Sequence, residues 1–158
     1  MALSLQSANL VWQKAQIALD SLSLRGVVRE QILKLKAHLS QVGGNPDLQF
    51  VAIADLTADV VAADAACQLY AVVLKKRATA TDAFYKAFND AATDSSAEDA
   101  LLAIGLLEAG DYVVLTFPGG MPFSAGLVHG SYTAIAGAAG TTASTSGDGP
   151  DGFLIIGS

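Results

Sequence analysis

The chain has 158 residues, of which 52% are hydrophobic and only 15% charged, enough apolar material for one domain with its own core. That composition excludes an intrinsically disordered chain and a long solvated coiled coil. Net charge is −6 and unevenly divided: residues 1–45 hold five basic and two acidic side chains (+3), residues 46–158 four basic and thirteen acidic (−9). A basic segment joined to an acidic body predicts docking on something acidic, a neighbouring copy included.

From Asn9 to about Val42 there is no proline and one glycine, Gly26, and Leu, Gln, Lys and Ala are frequent, so the segment reads as helix. Ser21–Gly26 marks a break and gives two helices. After it, Val28, Ile32, Leu35, Leu39 and Val42 are spaced four, three, four and three, which sets them on one stripe with Arg29, Lys34 and Lys36 off it. The stripe fits a hairpin packed on its own domain, or an arm that makes oligomer or shell contacts. As a contact, it would use Val28, Ile32, Leu35, Leu39 and Val42 as the buried seam and Arg25, Arg29, Lys34 and Lys36 as the polar margin. Deleting residues 1–45 is then expected to leave a folded β domain.

Val42-Gly-Gly-Asn-Pro-Asp47 stops the helix and places a boundary near residue 45. Beyond it the pattern predicts strands at 49–54, 60–63, 67–75, 83–88, 101–107, 112–117, 123–129 and 153–156. Eight short strands separated by turn signals predict a mainly β domain over 46–158, an antiparallel sandwich or jelly roll, with the helical arm of 1–45 making the whole chain α+β. Asp94–Asp99 has the residues for one helical turn. Residues 134–151 are small and polar and read as a flexible surface loop. The terminal run Phe153-Leu-Ile-Ile156 is too apolar for an edge strand and is expected at a sheet centre.

The inventory of reactive groups is thin. His38 and His129 are the two histidines, and no His-x-x-x-His or Cys-x-x-Cys pair exists to hold zinc. Pro122-Phe-Ser124-Ala-Gly126 has Pro where a nucleophile elbow needs Gly. Gly119-Gly-Met-Pro122 lacks the Gly-Lys-Ser/Thr of a phosphate loop and reads as a chain-reversing turn. Asp148-Gly-Pro-Asp151-Gly lacks the alternating carboxylates of a calcium loop and reads as turn chemistry. Lys75-Lys-Arg77 is too short for a nucleic-acid patch and is expected to blunt a strand end or to pair with acidic groups of a neighbour. Cys67, the single cysteine, reads as a small buried hydrophobe, and its solitude fits a reducing cytoplasm. No catalytic, metal-binding or cofactor-binding residue is assigned.

Four segments, Cys67–Lys75, Thr79–Thr93, Leu106–Gly110 and Phe117–Val128, are followed by the closing Asp148-Gly-Pro-Asp-Gly-Phe-Leu-Ile-Ile156. Over residues 66–158 this succession resembles the small β-sandwich structural proteins of tailed-bacteriophage virions, of the capsid decoration or cement type. The resemblance rests on packing and turn patterns and leaves the helical residues outside it. It implies a non-enzymatic virion component on the capsid exterior, synthesised in the host cytoplasm. Its expected partners are the major capsid protein and further copies of itself, as a dimer or trimer. No nucleic acid, membrane or small-molecule substrate is expected. A tail or head-fibre attachment protein and a ligand-binding jelly roll are the competing readings.

Overall fold

The computed structural model describes residues 8–41, 47–57, 59–77, 83–93, 100–106, 108, 110–132 and 149–158. Helix α1 spans Ala8–Ser21 and α2 spans Val27–Gln41. On α1, Val11, Ala15 and Leu19 recur every four residues with Trp12 beside them, and all four are buried. The helix closes in a Schellman turn: the Leu24 N–H donates to the Leu19 carbonyl at 2.9 Å and the Ser23 N–H to that of Asp20 at 3.1 Å. Ser23, at φ 57°, takes the left-handed position usually given to glycine. Gly26 instead precedes α2, where its carbonyl accepts the Glu30 N–H at 3.0 Å.

Eight strands follow: β1 Leu48–Ile53, β2 Val60–Ala63, β3 Cys67–Lys75, β4 Ala83–Asn89, β5 Ala100–Leu106, β6 Tyr112–Phe123, β7 Leu127–Tyr132 and β8 Asp151–Gly157. The fold is mainly β with two helices, consistent with the expected α+β class. The strands make two antiparallel sheets, one in the order β1-β8-β3-β6 and the other β2-β7-β4-β5. β8 lies between β1 and β3, with Gly152 to Gly157 all buried, so the apolar C-terminal run is central as its composition predicts.

Two strands, β6 and β7, depart from their predicted limits by more than two residues, and both departures have a local cause. Leu69 pairs with Met121 and Ala71 with Thr116, so residues 117–120 loop out of β6 while the strand continues, with Gly120 at φ 77°. The Gly119–Pro122 segment is therefore part of a bulged strand and not the reversal its composition suggests. The chain turns instead at Ser124-Ala125. There the Asn89 side chain donates to Ser124 Oγ at 3.0 Å and accepts the Ala125 N–H at 2.9 Å. This moves the start of β7 to Leu127.

The second irregularity sets the faces of β3. A bulge at Tyr70 puts Tyr70, Ala71 and Val73 on one face of the first sheet, and Leu69, Val72 and Leu74 on the other. The Leu69 face shares one apolar cluster with Tyr85, Ala87, Ile104 and Leu106 of the second sheet. The Tyr70 face, together with Leu48, Phe153 and Ile155, packs against both helices. On its far side the second sheet buries a smaller cluster of Phe88, Val128 and Tyr132.

Candidate contact surface

The helical stripe lies inside the molecule. Val28, Ile32, Leu35 and Leu39 are 4, 0, 2 and 7% exposed, in one cluster with α1 and the first sheet. Val42, the fifth member, lies outside the described residues. The four described members are thus covered by the chain's own sheet, which corrects their expected place in an oligomer or shell seam and matches the hairpin-on-its-own-domain reading. The sequence boundary near 45 separates helices from strands along the chain, but not in the core they share. Deleting the helices would bare Tyr70, Val73, Phe153 and Ile155, an apolar sheet face that the folded remnant would have to expose. The polar margin does face outward: Arg25, Arg29 and Lys34 are exposed and Lys36 is half-buried.

Two recesses flank the helices. The larger, about 520 Å³, runs between α1 and β1, an edge strand of the first sheet. Lys14, Ile17 and Ser21 line it from the helix, Leu22 from the turn that follows, and Phe50 and Ala52 from the strand. Ile17, at 69% exposure, is the most exposed large apolar side chain described. The smaller recess, about 260 Å³, lies between the helices: Trp12, Gln13 and Gln16 of α1 face Arg29, Leu33 and Lys36 of α2. The spacings 12, 13, 16 and 29, 33, 36 each fall on one helix face.

Two cations of the sheet body, Lys75 and Arg77, are engaged within the chain. Arg77 donates from Nε to Asp151 Oδ2 at 2.9 Å and from Nη2 to Oδ1 at 2.8 Å, and its Nη1 stands 3.8 Å from Asp55 Oδ2. Asp151 also accepts the Asp55 N–H at 2.9 Å, and Asp55 accepts the Gly149 N–H at 3.0 Å. The bidentate bond to Asp151 raises the guanidinium pKa and keeps it charged. Lys75 Nζ donates to the Leu22 carbonyl at 2.6 Å, tying β3 to the interhelical turn. Lys75 and Arg77 therefore hold the chain together internally, which replaces the expected pairing with a neighbour.

The remaining sequence candidates are scaffold. His129 sits within buried β7, where Nδ1 lies 3.2 Å from the Tyr85 hydroxyl, and burial lowers its pKa to about 4. Burial raises the Tyr85 pKa and pushes the Cys67 thiol up to about 11, a neutral, inert group. Lys86 lies buried over the Tyr132 ring, 5.2 Å from its centroid, and the Tyr132 hydroxyl donates to Asp59. His38 is exposed on α2, and Ser124 serves its turn. The 94–99 turn and most of the 134–151 loop fall outside the described residues, as does Asp148.

Among the described residues no group of three or more His, Cys, Asp or Glu side chains is placed to hold a metal, and no helix is long and apolar enough to cross a membrane. What sequence reasoning missed is the pair of recesses. Ile17 had a signal, since it belongs to neither the Val11-Ala15-Leu19 row nor any strand. The α1/α2 recess had none, because it depends on how two helices cross. No protein-family model, no curated protein and no solved structure matches the chain.

Proposed function

We propose that this chain is a non-enzymatic structural protein of a tailed-bacteriophage virion, a capsid decoration or cement protein. In this reading it binds the major capsid protein from the particle exterior and stabilises the shell as a homo-oligomer. Its two sheets are read as a sandwich of jelly-roll type.

One observation carries the reading. β1 pairs with β8, β2 with β7, β3 with β6 and β4 with β5, so the eight strands form one long hairpin folded in half again. The β3–β8 and β4–β7 pairings then close it into two four-stranded sheets. That order is the one an eight-stranded double Greek key requires, an architecture used by viral capsid domains. Lectins and cupins use it too, and a fold does not by itself name an activity. The virion assignment is favoured over them by the pattern of residues 66–158 and by a site inventory of surface recesses and exposed cations. Many weak copies on a repeating shell supply adhesion without a deep pocket.

The test is a binding titration on capsid shells stripped of the protein, followed by cosedimentation and by the temperature at which the shells open. Saturable binding at a fixed number of copies per capsomer, with a raised opening temperature, is expected. Shells that bind none of it, or bind it without change in stability, refute the proposal.

A further inference from the structure

We infer that the basic α1/α2 recess is the contact through which one copy grips the acidic sheet body of the next, head to tail. The inference deepens the homo-oligomer part of the proposed function and rests on it. It does not depend on a virion.

The recess has two walls of different chemistry. Arg29 and Lys36 stand on α2, Gln13 and Gln16 face them from α1, and Trp12 and Leu33 supply an apolar floor and rim. Cations of fixed spacing opposite amides that both donate and accept suit a carboxylate-bearing segment of polypeptide, with its backbone against the glutamines. Lys34 extends the positive field on the same helix, and Arg25 does so from the turn before it.

None of Arg25, Arg29, Lys34 and Lys36 has an ion pair among the described residues, whereas Arg77 of the body is committed to Asp151 and Asp55. The complement is present in the same chain: residues 46–158 carry −9 against the +3 of residues 1–45. A two-fold contact of the helical face with its own copy would oppose basic helices to basic helices. A head-to-tail arrangement sets basic helices on an acidic body, and a contact between unlike surfaces closes into a ring where the rotation allows. The larger recess beside β1 lacks this pairing of cations: Lys14 is its one basic residue, and Asp151 in its lining is held by Arg77.

The experiment compares the full chain with the double variant Arg29→Glu/Lys36→Glu by light scattering, from low salt to about 0.5 M, where exposed charges are screened within a few ångströms. The wild type is expected to self-associate at low salt and to dissociate as salt rises. The variant is expected to be weaker at low salt by roughly tenfold or more. Arg29 is exposed and Lys36 half-buried, and neither has an ion pair among the described residues, so the variant should melt close to the wild type. A Leu33→Ser variant probes the apolar rim without altering charge and should also weaken association. An oligomer unchanged by these substitutions and by salt overturns this contact while leaving the homo-oligomer reading intact. A wild type that is monomeric at every salt concentration overturns both, even where the variant loses binding to an acidic shell.

Discussion

The Ile32→Ala substitution separates the two roles that the helical stripe offers. Ile32 is fully buried, packed among α1 and the Tyr70 face of the first sheet, and its neighbour Leu33 is 44% exposed. Truncating a fully buried isoleucine removes its transfer free energy and leaves a cavity, about 2–5 kcal/mol in total. For a chain of this size each kcal/mol moves the melting temperature by about 2–4 °C, so a loss of about 4–20 °C is expected. Leu33→Ala should change stability by less than about 0.5 kcal/mol. Urea unfolding of both variants at several protein concentrations is the assay. Because the contact is within one chain, the Ile32→Ala loss must be the same at every concentration. A loss that shrinks on dilution, or a variant as stable as wild type that merely falls apart into monomers, would refute the placement of the stripe in the chain's own core.

Two further outcomes follow from buried positions. The His129 pKa lies at about 4 in the fold against 6.5 for the free side chain, so the unfolded chain binds the proton first. The His129 contribution to stability is full above about pH 6.5, falls as pH drops towards 4 and is level below, with a total change of about 3 kcal/mol. Unfolding measured across that range should show this slope, and His129→Gln should flatten it. Gly152 has φ 158°, and any Cβ there would collide with the Val73 carbonyl of the paired strand. Gly152→Ala should therefore destabilise by about 1–3 kcal/mol, read by thermal melting. A neutral result would remove the close approach of β3 and β8 from the account.

Much of the architecture was written in local pattern. The four-three spacing of Val28, Ile32, Leu35 and Leu39 fixed a helix with one buried face, and the unbroken apolar run of residues 153–156 fixed a central strand. What spacing leaves open is the identity of the covering surface. A stripe that fits a partner's groove fits the Tyr70–Phe153 face of its own sheet equally well, because the hydrophobic effect is not directional. The β6 bulge was illegible for a related reason. Gly-Gly beside Pro is turn chemistry in isolation, and only pairing with eight residues of β3 carries the strand through it. The basic cluster at Lys75–Arg77 shows the same limit, since Asp151, its main partner, lies 74 residues away from Arg77. The surface recesses depend on helix crossing and strand order, neither of which is a property of any single segment.

Electron cryomicroscopy of purified virus particles tests most directly whether this molecule works as a shell-bound adhesive. The account predicts density for two four-stranded sheets and their paired helices at repeated positions on the outer capsid surface, with one copy's helices against its neighbour's sheet body. Particles whose shells are complete without this chain, while the protein remains free in the lysate, would contradict it.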